Sequence, residues 1–192
     1  KYYSMSSYQY GGNNPVNSID INGDSLLITN SELIKAIYNG LENGRHISMQ
    51  FNNGMLNPTS IEDQAKNSND FFLKDLYEIA SSEKTVELSL SDKNVYRGQH
   101  GIESVPFDMP YDDNDDAIPA SQKEELARAG MSFGKHIQGN LGQTLVPDRV
   151  LASGKKSTNG NVQVIINKNG SLNHRTVGIA HEFGHVILYL RN

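Results

Sequence analysis

Cysteine is absent from this chain of 192 residues. Disulfide bonds therefore cannot stabilise the fold, and no thiolate can bind a metal ion. The absence does not assign a cellular compartment, because cytosolic proteins and exported bacterial proteins both tolerate it.

Long apolar segments are absent as well. A membrane-spanning helix needs about 20 consecutive apolar residues, whereas the longest apolar stretches here are residues 162–166 and 186–190. We therefore expect no membrane insertion. The segment that starts at Lys1 lacks the apolar region of a signal peptide and an initiating Met, so we expect residue 1 to lie inside a longer protein.

A concentration of positive charge is also missing. The net charge is −5 and the pI is about 5.6, with Lys and Arg scattered along the chain. Nucleic acid is therefore not an expected partner. Hydrophobic residues make up 36% of the chain and charged residues 20%, which is typical of one globular domain with a core and a short appendage.

Helical and extended patterns follow one another in the first half of the chain. Apolar residues at helical spacing predict a helix from Asn30 or Ser31 to about Asn43, and a second helical region within residues 60–81. Apolar and polar residues alternate at residues 47–51 and 85–90, which predicts two strands.

The second half contains fewer clear patterns. Residues 97–120 are rich in proline and acidic residues and are predicted to form a loop. A capping pattern predicts a short helix over residues 121–129. Residues 131–160 are glycine-rich and allow no assignment, and residues 162–167 are predicted to form a short strand.

The last helix is expected to begin at Ser171 or Asn173 and to run to the chain end. Taken together, the predicted elements mix helices and strands without a regular alternation of strand, helix and strand. The predicted fold class is therefore α+β.

The motif His181-Glu182-Phe183-Gly184-His185 lies within this last helix. Two histidines four residues apart share one helical face, where their nitrogens can hold one Zn²⁺. Glu182 lies about 100° around the helix from His181, beside the metal rather than on it. There it can take a proton from a zinc-bound water and return that proton to a leaving amine.

The composition around the motif supports a metal site. Random arrangement of the same residues produces such a motif in about 1% of cases. The surrounding residues are mostly apolar, so we expect a central helix on which a metal compensates for burying two His and one Glu. The structural alternative is a core helix whose two histidines have ordinary polar partners.

These residues resemble the zincin metallopeptidases over roughly residues 160–192. The resemblance implies a zincin-like fold, with a small mixed or antiparallel sheet and a central active-site helix at the C-terminal end. It also implies Zn²⁺ as the cofactor, His181 and His185 as metal ligands, Glu182 as the catalytic base, and a protein or peptide substrate. In that family the active-site helix follows a strand that pairs with extended substrate, and Val162–Asn167 is placed as such a strand would be.

A third zinc ligand is not evident, although a catalytic zinc usually has three protein ligands. In metzincins a Gly and a His follow the motif at positions that here are Leu188 and Arg191, and no His or acidic residue follows His185. The ligand must come from upstream, from another chain, or from beyond Asn192. We favour a domain that continues past Asn192, in which case the chain alone binds zinc weakly. The upstream histidines are His46, His100, His136 and His174.

The N-terminal segment carries a second resemblance. Tyr8-Gln9-Tyr10-Gly11-Gly12-Asn13-Asn14-Pro15-Val16 and the following Ile19-Asp20-Ile21-Asn22-Gly23 resemble the end of the RHS-repeat core of bacterial polymorphic toxins, although Ile21 replaces a proline of the family junction. The resemblance implies that residues 1–24 are an extended leader and that residues 25–192 are a C-terminal effector domain. It further implies a secreted or cell-surface bacterial protein and an immunity protein as a partner.

Two alternatives to a peptidase remain open. One is a surface or binding module derived from a peptidase, with an incomplete metal site. The other is a calcium-stabilised, adhesin-like domain, because aspartate and asparagine recur at calcium-loop spacing in two segments. A solvated acidic turn is the simpler interpretation of both segments, which are Asp20, Asn22 and Asp24, and Asp112, Asn114 and Asp116.

Overall fold

The structure is a computed structural model that describes residues 25–98, 101–107, 141–147 and 160–192. Within these ranges it contains one six-stranded mixed sheet, one two-stranded sheet and four α-helices. This mixture of elements confirms the predicted α+β class. The leader 1–24, the predicted helix at residues 121–129 and both candidate calcium segments lie outside the described residues.

The strands fall into two groups. Six form the main sheet in the order β2-β3-β1-β4-β8-β7, and β5 pairs with β6 in a separate antiparallel hairpin. In chain order the strands are β1 (Leu26–Ile28), β2 (Phe51–Asn52), β3 (Met55–Leu56), β4 (Val86–Ser91), β5 (Lys93–Gly98), β6 (Gly101–Pro106), β7 (Gly142–Leu145) and β8 (Val162–Asn167).

Three of the four α-helices in the described ranges begin at a side chain that accepts backbone hydrogen bonds. Asn30 caps α1, Asp70 caps α3 and Ser171 caps α4, so each first turn has a partner for at least one free N–H group. The helices are α1 (Ser31–Gly40), α2 (Glu62–Asn67), α3 (Phe71–Ala80) and α4 (Leu172–Leu190), with 3-10 turns at Gly44–His46 and Pro58–Ser60.

Three parallel strands form the centre of the main sheet. β4 pairs in parallel with β1 on one side and β8 on the other, in a register that aligns Leu26, Val86 and Val162. β3 and β7 are antiparallel to their neighbours and lie on either side of this parallel centre. The central position of β8 explains its nearly continuous apolar sequence, because a strand inside a sheet is buried along most of its length.

The hydrophobic core lies between the sheet and the helices. Alternate positions of the parallel strands, such as Ile28, Leu88 and Val164, are buried in one cluster with apolar residues of α1, α3 and α4. The intervening Glu87 is half-buried and Ser89 is exposed. The described helices that form the core therefore cover one face of the sheet, and α4 packs against both α1 and α3.

Most sequence predictions for the described elements are confirmed, but two are wrong. The strand predicted at residues 47–51 is regular only at Phe51–Asn52, although Ile47 and Met49 are buried. The alternation of apolar and polar residues at 47–51 therefore indicates burial of alternate side chains, not pairing with another strand. The predicted loop at 97–120 includes β6, because pairing with β5 creates a strand that its own composition does not indicate.

No helix in the described part of the chain is both long and apolar enough to cross a membrane.

Asp70 joins the start of α3 to the loop that follows α1. Its Oδ1 accepts hydrogen bonds from Phe72 N at 2.9 Å and Leu73 N at 3.2 Å, and its Oδ2 accepts one from Glu42 N at 2.9 Å. The residue is 5% exposed. Removal of this carboxylate leaves three backbone donors without their partner, two of them at the start of a helix.

We expect Asp70→Ala to lower the free energy of unfolding by about 2–3 kcal/mol, since it removes a helix cap and a charged tertiary hydrogen bond. Urea unfolding followed by circular dichroism measures this loss. Asp63→Ala is the matched control, because Asp63 is an exposed aspartate in the first turn of α2; its loss should stay below about 1 kcal/mol. Equal losses in the two variants would contradict the assigned role of Asp70.

Candidate metal centre

Helix α4 has a buried face and an exposed face, and both carry residues of the histidine and glutamate motif. His181 and His185 lie on the exposed face, whereas Glu182 lies on the buried face and is 5% exposed. The expectation that all three side chains are buried is therefore wrong for the histidines. The buried face consists of Gly178, Ile179, Glu182, Phe183, Val186 and Ile187, and the exposed face includes Val177, Ala180, His181, His185 and Leu188.

The two histidine rings point toward a common position. The Nε2 atoms of His181 and His185 are 3.2 Å apart, and the rings are nearly perpendicular, with an interplanar angle of 87°. Two nitrogen ligands of a tetrahedral zinc at about 2.0–2.1 Å lie about 3.3 Å from each other. The pair therefore fits two positions of a tetrahedral metal site, as the sequence spacing predicts.

Exposure of the two histidines contradicts the structural alternative in which they are buried in a core helix, and it also removes the need for a metal ion to compensate for their burial. A core histidine is satisfied by neighbouring polar groups, but these two rings lie on the solvent side of α4 and make a hydrogen bond to each other. Such a bond requires a proton on one Nε2 atom. A metal ion replaces that proton and uses the lone pairs of both nitrogens.

Glu182 lies between α4 and β7 and is fixed by Thr144. The Thr144 hydroxyl donates to Glu182 Oε2 at 2.6 Å and also lies 3.3 Å from the Glu182 carbonyl oxygen. Because a hydroxyl has one proton, the shorter contact with the carboxylate takes it. No group of three His, Asp or Glu residues among the described ones is arranged to hold a metal, so Glu182 does not join the histidine pair as a ligand.

Two glycines allow α4 to lie close to β7. A Cβ atom on Gly142 would be 2.9 Å from Glu182 Cγ and 2.9 Å from Ile166 Cδ1. A Cβ atom on Gly178 would be 3.0 Å from both the Cβ and the carbonyl oxygen of Leu141. The helix can therefore reach this strand only because both positions lack side chains.

The two ends of α4 are held by contacts with other helices. Near the start, the Thr176 hydroxyl lies 2.9 Å from Ala36 O in α1. At the end, the Arg191 guanidinium donates to both carboxylate oxygens of Glu78 in α3, at 2.8 and 2.6 Å. This contact lowers the pKa of Glu78 below its ordinary value. It also engages the side chain of Arg191, which stands where metzincins have their third histidine.

A third metal ligand is not found among the described residues. His174 lies on the same continuous helix as His181, seven residues earlier, which is about 10.5 Å along the axis and too far to share a metal. His46 lies in the 3-10 turn after α1 and joins no metal-binding group. His100 and His136 lie outside the described residues.

Tyr189 lies on α4, four residues beyond His185. Its ring packs against the core, with Lys84 Nζ 4.0 Å from the ring centroid. This cation–π contact indicates a structural role for the ring.

The predicted substrate-pairing strand requires a correction. Val162–Asn167 is β8, and it is paired on both sides, with β4 in parallel and with β7 in antiparallel orientation. An interior strand has no free edge for a substrate. The strand that ends the sheet near α4, within the described residues, is instead β7.

Two residues of the site were missed by the sequence analysis. Gly142 and Thr144 lie in the glycine-rich region that allowed no assignment, and they contact Glu182 only because β7 pairs with β8 next to α4. Their i, i+2 spacing places both side-chain positions on one face of a strand. A four-residue strand gives too short a pattern for that signal to be found.

Comparisons of the chain with protein-family models, with curated proteins and with solved structures find no match.

We expect Gly142→Ala to lower the free energy of unfolding by about 1–3 kcal/mol, because the added methyl group forces the Glu182 side chain and β8 to shift. Gly184→Ala is the matched control, since a Cβ atom there meets nothing within 4 Å. Alanine at this helical position should raise stability by up to about 1 kcal/mol. Chemical denaturation of both variants measures the two changes, and a neutral Gly142→Ala would show that α4 and β7 are not in close contact.

Proposed function

We propose that this chain carries the active-site helix of a zinc-dependent peptidase with a zincin-like fold. The observation that carries the proposal is the pair of Nε2 atoms of His181 and His185, 3.2 Å apart on an exposed helical face. The neighbouring Glu182 is buried beside this pair and held by Thr144. A sheet strand, β8, precedes the helix as the zincin resemblance implies, although it lies inside the sheet and is not the substrate-pairing strand.

The two histidines and the glutamate have separate roles in the proposed reaction. His181 and His185 would hold Zn²⁺, which when bound would supply Lewis-acid chemistry to a substrate carbonyl and to water. Glu182 accepts the proton of the attacking water and then donates it to the leaving amide nitrogen. Burial and the Thr144 hydrogen bond fix the carboxylate for both transfers.

Among the described residues, β7 is the edge strand next to α4, and its outer side supports an extended peptide as the substrate. Asn167 N donates to Leu141 O, so the ladder between β7 and β8 uses the backbone groups at 141, 143 and 145. The N–H and C=O groups of Gly142 and Thr144 therefore point away from β8. An extended peptide can pair with them next to Glu182.

A binding module with an incomplete metal site is the second candidate. It is favoured by one observation, the lack of a third ligand among the described residues. A site with two histidines still binds transition metals, but it lacks the three protein ligands typical of a catalytic zinc.

The biological setting that we propose comes from the sequence of the leader. Its resemblance to the end of an RHS-repeat core supports an effector domain over residues 25–192, within a secreted or cell-surface bacterial protein. A protein or peptide substrate and an immunity protein are the partners that this setting implies.

We expect His181→Ala to weaken the binding of Co²⁺, a spectroscopic substitute for Zn²⁺, by about tenfold or more, because one of two ligands is lost. His174→Ala is the matched control: His174 is also an exposed histidine on α4, but two turns away. The Co²⁺ affinity of His174→Ala should equal that of the unchanged protein. Equal weakening in both variants would reject the metal site.

We expect Glu182→Gln to lower the cleavage rate by about 10²–10⁴-fold, because the amide cannot accept the proton of the attacking water. The zinc-loaded protein is assayed against a library of quenched fluorescent peptides. Co²⁺ affinity should stay unchanged, since both histidines remain. A metal-loaded protein that cleaves no peptide would reject peptidase activity of this chain and favour the binding module, and equal rates in the two proteins would reject Glu182 as the base.

A further inference from the structure

We infer that Thr144 is a positioning residue that couples the bound substrate to the catalytic base. The inference is based on the proposed peptidase function and extends it to a residue outside the metal-binding motif. Thr144 is separated from Glu182 by 38 positions in the sequence. Its side chain and its main chain face two different parts of the candidate site.

The side chain of Thr144 fixes the base. Its hydroxyl donates a hydrogen bond to Glu182 Oε2 at 2.6 Å. Glu182 itself is 5% exposed. The neighbouring Gly142 leaves the space that Glu182 Cγ occupies. Together the two residues select one position for the carboxylate, on the side of α4 next to β7.

The main chain of Thr144 faces the substrate edge. The pairing of β7 with β8 directs the N–H and C=O groups of Thr144 outward, where an extended peptide adds to the sheet. One residue thus contacts the peptide backbone through its main chain and the base through its hydroxyl. The distance between the scissile bond and Glu182 is then set by a single short strand rather than by a flexible loop.

This arrangement separates binding from catalysis in a way that kinetics can detect. Thr144→Val keeps the shape and the main-chain groups of the residue but removes the hydroxyl. We expect kcat to fall by about 10–100-fold, because the carboxylate loses its fixed position. KM should change by less than about twofold, because the groups that pair with the peptide are retained.

Two further variants act as controls. Thr144→Ser keeps the hydroxyl and should restore kcat to within about threefold of the unchanged protein. Thr176→Val removes a threonine hydroxyl that bonds α4 to Ala36 O of α1, away from the histidines. It should leave kcat unchanged even if it lowers stability, which separates a positioning role from a structural one.

Readouts other than activity complete the experiment. Co²⁺ affinity should be equal in the unchanged protein and in all three variants, since the histidines are retained. Crystal structures should show the Glu182 carboxylate moved away from β7 in Thr144→Val and in place in Thr144→Ser. A carboxylate that stays in place in Thr144→Val would overturn the inference, whether or not the protein is active.

The outcomes distinguish this inference from the proposed function. If cleavage depends on Glu182 but Thr144→Val retains its kcat, the peptidase stands and the positioning role is rejected. If Thr144→Val lowers kcat but Thr144→Ser does not restore it, loss of packing rather than loss of the hydroxyl is responsible, and the inference is also rejected. If no peptide is cleaved by the unchanged protein, the proposed function fails and the crystal structures alone decide the role of Thr144.

Discussion

The close approach of α4 to β7 is the constraint on which the candidate site depends. Gly142 and Gly178 remove the side chains that would hold the helix and the strand apart. The Glu182 side chain lies between the helix and the strand, and its carboxylate accepts a hydrogen bond from the Thr144 hydroxyl. Because the interior of a protein is tightly packed, small changes at this contact displace the carboxylate itself. The strand that packs against the helix therefore also determines the position of the Glu182 carboxylate in the candidate site.

The division of α4 into two faces is compatible with the proposed roles of the motif, two metal ligands on one face and a base on the other. The histidines lie on the exposed face, where their nitrogens are available to an ion. Glu182 lies about 100° away on the buried face, where it has a fixed hydrogen-bond partner. A carboxylate that moved freely in water would spend little time in the geometry needed for proton transfer. The buried side of the helix thus holds the Glu182 carboxylate in place, and the exposed side leaves the two histidines accessible to an ion.

The helix is also anchored at both ends by contacts with α1 and α3. Thr176 bonds its first turns to α1, and Arg191 bonds its last turn to Glu78 of α3. The apolar side chains of its buried face join the same core cluster as the parallel strands. Metal ligands on a helix supported in this way need little rearrangement when an ion binds. The same support is compatible with a peptidase and with a metal-binding module, and the number of ligands distinguishes the two.

The sequence by itself determined the elements whose signals are local. The spacing of His181 and His185, a cap at Ser171 or Asn173 and the apolar run of β8 each lie within a few residues, so the helix, the shared face of the two histidines and the preceding strand were all predicted. The tertiary structure alone decided which face of α4 is buried, that β8 is interior, and that β7 is the last strand beside the helix in the part of the chain that the structure describes. It also brought Thr144 to Glu182 across 38 positions. The physical reason is that strand order and helix packing come from contacts between distant segments, which a local pattern of apolar and polar residues does not encode.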